Sequence, residues 1–289
     1  MDNEKLLEAQ KALETGVANL VASEGWQNYL KTQARFHTYS FANVMWLMSQ
    51  GIARGINVTR FAGYQTWKAL GRQVRKGEQS YKVLAPMGYK KTDERTGEEH
   101  FRLRGFKVVS TFEVSQTDGE ALPEPCAKLV GDGEELREMF AKLAKFSTSK
   151  GLTVAKTEIA SGANGFFSRM NREIQVDVRL SDLQALKTLI HETAHSILHN
   201  DVDSDARATK EVEAESTAFV VMHALGFDSA EYSLGYVAHW AKGDAKLIQD
   251  VAIRVQKCAK AILEDVFVVR QTAWEKVSKN ADADEERAA

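Results

Sequence analysis

SDLQALKTLIHETAHSILH, residues 181–199, is the stretch on which the reading of this 289-residue chain turns. Leu186, Leu189, Ile190, Ala194 and Ile197 recur at helical spacing and form one apolar stripe. Ser181, with Gln184 three residues later, fits a capping box, and Asn200 suits a C-terminal stop. The pattern predicts one capped helix. His191 and His195 lie four residues apart, which puts both imidazoles on one helical face about one turn apart. Two such rings can chelate a single ion. Glu192 stands beside the first of them. Zinc held by few protein ligands keeps an open position and lowers the pKa of water there to about 7. Glu192 is then placed to take the proton and pass it to a leaving amine. His191-Glu192-Thr193-Ala194-His195 is the HExxH pattern of metal-assisted peptide hydrolysis. Five residues match by chance often; the independent signs of a capped helix give this match its weight.

A third ligand is required, and the next predicted helix, Lys210–Leu225, opens with Glu211, Glu213 and Glu215. Glu211 and Glu215 share a face at i,i+4, whereas Glu213 points roughly opposite. The economical arrangement uses Glu211 as ligand, with Glu215 hydrogen-bonding the free N–H of a ligand histidine. Taken alone, three glutamates at a helix start also complement the helix dipole. His199 is one more i+4 step along. Three successive turns do not easily converge on one ion, so it reads as a C-terminal cation interacting with the dipole.

HETAH paired with EVEAESTAFVV resembles the gluzincin arrangement, more closely the ImmA/IrrE-like metallopeptidases, and the C-terminal domain of ArdC-type antirestriction proteins. The resemblance implies that the first Glu of E-x-x-x-D/E, here Glu211, is the third ligand. Glu213 also aligns with a frequent Glu of ImmA/IrrE-like patterns, so Glu211 and Glu213 both stay candidates. Ile174, Val176 and Val178 alternate in Glu173–Arg179, which predicts a half-buried strand. The resemblance implies that this is the edge strand that aligns an extended peptide by β-augmentation.

Upstream the composition changes. Residues 54–107 hold 13 Lys/Arg against 5 Asp/Glu, whereas residues 126–289 hold 21 against 26. A basic segment in a near-neutral chain points to one part that meets a polyanion. Tyr39, Phe41, Trp46, Phe61, Tyr64 and Trp67 alternate there with Arg60, Lys68, Arg72, Arg75 and Lys76. Stacking rings in a positive groove suit single-stranded nucleic acid; aromatics also pack cores, and Trp67 fits either role. The Asn43–Gln50 helix, the run from Trp67 to Glu78 and the strand end Phe112–Thr117 resemble the N-terminal single-stranded-DNA-binding domain of ArdC-like proteins. With the peptidase half, the similarity spans about residues 10–265.

The expected organisation is α+β. A mixed helix and small-sheet DNA-binding domain covers 1–122, and a zincin-like metallopeptidase domain with edge strand and HExxH helix covers 126–275. An acidic, disordered tail covers 276–289. The linker is GEALPEP, Gly119–Pro125, with two of the three prolines. Further helices are expected over Glu24–Arg35, Phe41–Gln50 (stopping before Gly51), Glu134–Phe146 and Lys246–Phe267. Phe106–Val114 is expected as a strand and Lys90–Glu99 as a hairpin tip or loop. No apolar run reaches transmembrane length, and the charged N-terminus lacks an apolar signal core. Cys126 and Cys258 stand far apart, as reduced thiols do. Together these predict a cytoplasmic protein with no membrane partner. The implied cofactor is Zn2+, with Mn2+, Ni2+ or Co2+ as possible substitutes. The implied partners are single-stranded DNA and a protein or peptide of unspecified sequence. The resemblance further implies protection of incoming mobile DNA from restriction. The rival readings are a regulatory protease that cuts a repressor, and a DNA-binding protein whose metal only braces the fold.

Overall fold

The computed structural model describes residues 2–20, 23–56, 58–92, 99–119, 132–199, 207–227 and 244–267. The expected linker from residue 120 and the acidic tail lie outside them, as does Cys126. The class is mixed α+β, as the sequence predicts. By their contacts the residues form two compact units. One comprises residues 1–16, 42–121 and 273–289; the other comprises 17–41 and 122–272.

The second unit carries the HETAH helix, α6, Asp182–Leu198. Ser181 caps it, its hydroxyl accepting from the Gln184 N–H at 3.3 Å. The reciprocal half of the expected capping box is replaced: the Gln184 side-chain amide lies 3.5 Å from the Thr188 hydroxyl, forward along the helix. Leu186, Leu189, Ile190 and Ala194 are fully buried, so the apolar stripe faces a core; Ile197 stays outside it, 38 % exposed. That core is supplied by α5 (Glu134–Ser149), α7 (Arg207–Ala224), α8 (Ala245–Asp265) and a small sheet.

The sheet has three strands, β6 (Thr153–Thr157), β7 (Gly165–Ser168) and β8 (Glu173–Asp177), in the order β6-β8-β7. This corrects the expected edge strand. Glu173–Asp177 is the central strand, parallel to β6 and antiparallel to β7, and among the described residues the edge beside α6 is β7. Ile174 and Val176 are fully buried, as a central strand requires, while Val178 lies beyond the strand and is 51% exposed. Asp177 ends the strand by accepting the N–H groups of Ile159 and Arg179. The Arg179 guanidinium beside it, with those N–H donors, holds its carboxyl well below the usual range.

Residues 17–41 belong with this unit, although the sequence reading put everything up to 122 in one domain. The cause is α2, Ser23–Arg35, which packs on α7. The Trp26 indole N–H donates to the Ser216 hydroxyl at 3.1 Å, and the Tyr29 hydroxyl donates to the Ala252 carbonyl at 3.4 Å. Trp26, Tyr29 and Leu30 are all fully buried. Each such burial is worth roughly 1.5–3 kcal/mol, which a sequence cut cannot weigh.

In the first unit α1, Asp2–Asn19, contributes residues up to Gly16, and α3, Phe41–Ala53, contributes all but its first. The predicted stop before Gly51 is corrected: α3 runs through it. A Cβ at Gly51 would meet Val58 Cγ1 at 2.5 Å and the Ile56 carbonyl at 2.9 Å, so this glycine permits a close approach. Strands β1 (Phe61–Ala62), β3 (Tyr81–Thr92) and β4 (Glu99–Glu113) form a sheet in the order β1-β4-β3. Lys90–Thr92 and Glu99 are strand; only residues 93–98 of the expected tip lie outside the described residues. Asn43 and Gln50 of α3 bond the backbone of Leu84 and Lys82, each giving and accepting one hydrogen bond. Two helical side chains thereby cap the edge of β3. A short helix, α4 (Tyr64–Ala69), leads into β2 (Arg72–Val74), which pairs antiparallel with β5 (Thr117–Gly119).

Candidate metal centre

Helical periodicity sets the two imidazoles of α6 side by side, with His191 Nε2 and His195 Nε2 3.0 Å apart. Helix α7 brings Glu211 over them, its Oε2 3.5 Å from His191 Nε2 and 3.6 Å from His195 Nε2. The three atoms outline a triangle of near-equal edges. An ion held tetrahedrally at about 2.0–2.2 Å from each ligand separates its donors by about 3.3–3.6 Å. The donor set fits a divalent cation in spacing and in chemistry, two neutral nitrogens and one carboxylate. Among the described residues this is the one such cluster of three.

Each histidine is oriented from behind. His191 Nδ1 lies 3.2 Å from Glu215 Oε2, and the other oxygen of that carboxylate pairs with Lys187 at 3.1 Å. His195 Nδ1 lies 2.9 Å from His199 Nδ1, whose Nε2 lies 2.8 Å from Glu213 Oε2. Glu213 is fully buried, and its second oxygen accepts from Arg254 Nε of α8. The proton positions along this chain follow from one choice. If His195 Nε2 offers its lone pair to the triangle, His195 Nδ1 carries a hydrogen and donates to His199 Nδ1. His199 then carries its hydrogen on Nε2 and donates to Glu213. This corrects the reading of His199 as a dipole cation, and it gives Glu213 a position away from the triangle. The sequence could not supply Arg254, 41 residues beyond Glu213, or the packing of α6 on α7 that brings His199 to Glu213.

The carboxylates around the triangle favour positive charge there. Burial by itself would lower the His191 pKa, but Glu211 and Glu215 override it and raise it to about 9. Glu211 is held far below the usual carboxylate range by its hydrogen bonds with His191 and His195. Burial pushes Glu215 up, but its bonds with His191 and Lys187 leave it below the ordinary value. Glu192, buried under β7, is raised, chiefly by desolvation. Its neighbour is an N–H of Phe167, and a Cβ at Gly165 would stand 3.6 Å from its Cγ and 2.6 Å from Thr188 Cγ2. The edge strand lies directly on the HETAH helix because Gly165 has no side chain.

The basic candidates fare differently. Trp67 is corrected: it is fully buried, its indole N–H donating to the Phe112 carbonyl at 3.0 Å, so it has no ring face for a base. Arg72 spans β2 and β5 through Thr117 and Gly119. Arg75 pairs with Glu78 at 2.7 Å and Asp118 at 3.3 Å, which neutralises its charge. Lys68 and Lys76 are exposed and Arg60 is half-buried. Tyr89 and Phe106, 47% and 49% exposed, were not among the predicted contacts.

Residues 7–116 match the family described as the N-terminal domain of anti-restriction factor ArdC. An uncharacterized protein of Bacillus anthracis, pXO2-81, is 25% identical over 280 residues, 81% of this chain and 46% of that protein. The chain thus spans about half the length of this curated relative. Two crystal structures of the antirestriction protein ArdC from plasmid R388 are similar, each at 25% identity over 79% of this chain and 85% of theirs. The metal-free one has a TM-score of 0.49 and the Mn(II)-bound one 0.46. No helix among the described residues is long and apolar enough to cross a membrane.

Proposed function

We propose that the chain joins a single-stranded-DNA-binding unit to a zinc-dependent metallopeptidase, and that it acts in antirestriction by protecting incoming mobile DNA. The observation that carries the peptidase half is the donor triangle of His191, His195 and Glu211, with both histidines oriented from behind and Glu192 beside them. In this reading those three residues hold the metal and Glu215 fixes the His191 ring. His199, Glu213 and Arg254 fix the His195 ring. Zinc, when bound, supplies a Lewis acid that acidifies water and polarises a scissile carbonyl. Glu192 takes the proton from the attacking water and returns it to the leaving amine. Its burial raises its proton affinity toward the value a base needs near neutral pH. The edge of β7, unpaired among the described residues and lying on α6 at Gly165, is the strand along which an extended peptide would align. The match of residues 7–116 to the ArdC N-terminal domain supports the DNA-binding and antirestriction half.

The test combines metal analysis, peptide cleavage and a DNA shift assay on the wild type and Glu192→Ala. The expected result is about one divalent ion per chain, with cleavage lost and metal and DNA affinity retained in the variant. Cleavage undiminished in Glu192→Ala would overturn the peptidase mechanism. DNA binding with no salt dependence, or none at low salt, would overturn the DNA half.

A further inference from the structure

The β3–β4 hairpin carries a surface that the basic run around residue 72 does not. Its lower part is half-buried, with Tyr81 and Val83 of β3 and Thr111 of β4 facing the core. Beyond Ala85 this changes. Pro86 to Tyr89 on one strand and Arg102 to Arg104 on the other are exposed at every position. Successive strand residues point to opposite faces, so here the ribbon has no core on either side. It nevertheless carries Met87, Tyr89, Leu103 and Phe106, each between 41% and 55% exposed. The register puts Met87 and Tyr89 on one face with Arg102, and Leu103 and Phe106 on the other. Scattered single apolar residues need no explanation, but exposed apolar side chains on both faces of one ribbon mark a contact surface.

The charge says which partner fits. Strand β3 contains no acidic residue. In β4, Glu113 is buried at the base, where it accepts from the Thr59 and Arg60 N–H groups, and Glu99 lies at the far end. Between them stand Arg102, Arg104 and Lys107, all exposed. The register places Tyr89 opposite Arg102 and Pro86 opposite Phe106, so rings and cations share short stretches of ribbon. The register shifts between Met87 and Gly88, which leaves Arg104 without a partner in the ladder. Its guanidinium lies 4.8 Å over the Tyr89 ring. Exposed rings beside cations that form no ion pair among the described residues are what unpaired bases and their phosphates require. A duplex keeps its base faces stacked and offers none to these rings.

We propose that the β3–β4 ribbon is the surface that holds single-stranded DNA. One base stacks on Tyr89 on one face of the ribbon and another on Phe106 on the opposite face, and phosphates lie against Arg102, Arg104 and Lys107. This rests on the reading that the chain binds single-stranded DNA, and it moves the contact from Trp67–Lys76 to the ribbon. The test uses the full chain and a fluorescent oligothymidylate, with anisotropy read over a range of salt. Tyr89→Ala and Phe106→Ala each weaken binding about tenfold, while Tyr89→Phe and Phe106→Tyr, which keep a ring face, bind as the wild type does. Arg102→Gln with Arg104→Gln makes the slope of log affinity against log salt shallower by about 1.4. Lys68→Ala with Lys76→Ala leaves affinity within about twofold of the wild type. Wild-type binding that all the ribbon variants retain overturns this assignment and leaves the DNA-binding reading standing. A wild type that does not bind oligothymidylate overturns both. Equal, ribbon-dependent binding to duplex DNA or to phosphatidylserine vesicles also overturns the assignment, because the partner would then be a polyanionic surface and not unpaired bases.

Discussion

His191 and His195 are alike in sequence and differ in what stands behind them. His191 rests on Glu215, which Lys187 steadies; His195 rests on a second imidazole, itself held by the buried Glu213, which pairs with the half-buried Arg254. A ring held through its outer nitrogen presents the other in one tautomer and one direction. His199→Ala removes that hold on His195. Zinc affinity, measured by competition with a chromophoric chelator, is expected to fall about 10–100-fold. His199→Gln, which can still accept and donate, is expected to recover part of the loss. Unchanged affinity in His199→Ala would show that the contact does not orient the ligand. Glu211 and Glu213 stand two residues apart on one helix and end in different surroundings. One faces the triangle at 52% side-chain exposure and the other is fully buried.

Among the elements, the 3-10 turn Val114–Gln116 between β4 and β5 holds the sheets of the first unit together through Glu113. Its carboxylate accepts from the Thr59 N–H and hydroxyl, from the Arg60 N–H and from the Ser115 N–H. Burial pushes this carboxyl up, but the hydrogen bonds outweigh it and keep it below the ordinary value. A carboxyl depressed in the folded state stabilises the protein above its unfolded pKa, and that contribution is lost as pH falls through the folded one. Glu113→Gln is therefore expected to cost about 2 kcal/mol at neutral pH. Urea melts at descending pH should show the gap between variant and wild type closing on the acid side of the usual glutamate range. A gap that stays constant with pH would mean that charge plays no part. The three-stranded sheet of the other unit teaches a different lesson. The alternation in Glu173–Arg179 correctly announces a strand, yet alternation reports only which faces are buried. Whether a strand is central or at an edge depends on its neighbours, and here β6 and β7 flank it on both sides.

For the whole molecule, the metal reading predicts linkage between ion and fold. The proposed ligands come from two helices, so the ion would tie α6 to α7 and bind the folded chain alone. Zinc at about 100 times its dissociation constant then adds about 2.7 kcal/mol of stability. Calorimetry should show the transition rising with zinc and falling back with a chelator; a transition indifferent to both would exclude a fold-coupled site. The sequence by itself determined the capped HETAH helix, the pairing of both histidines on one face, the shared face of Glu211 and Glu215, and the α+β class. All of these are set by local periodicity, which needs no knowledge of distant residues. Tertiary structure alone decided the remainder. It placed residues 17–41 beside α7, put β7 at the sheet edge over Glu192, joined His199 to Glu213 and Arg254, buried Trp67, and left Tyr89 and Phe106 in the open. Each of these depends on which surfaces meet across long stretches of chain, and an aromatic ring in a sequence reads the same whether it ends in a core or on a projecting ribbon.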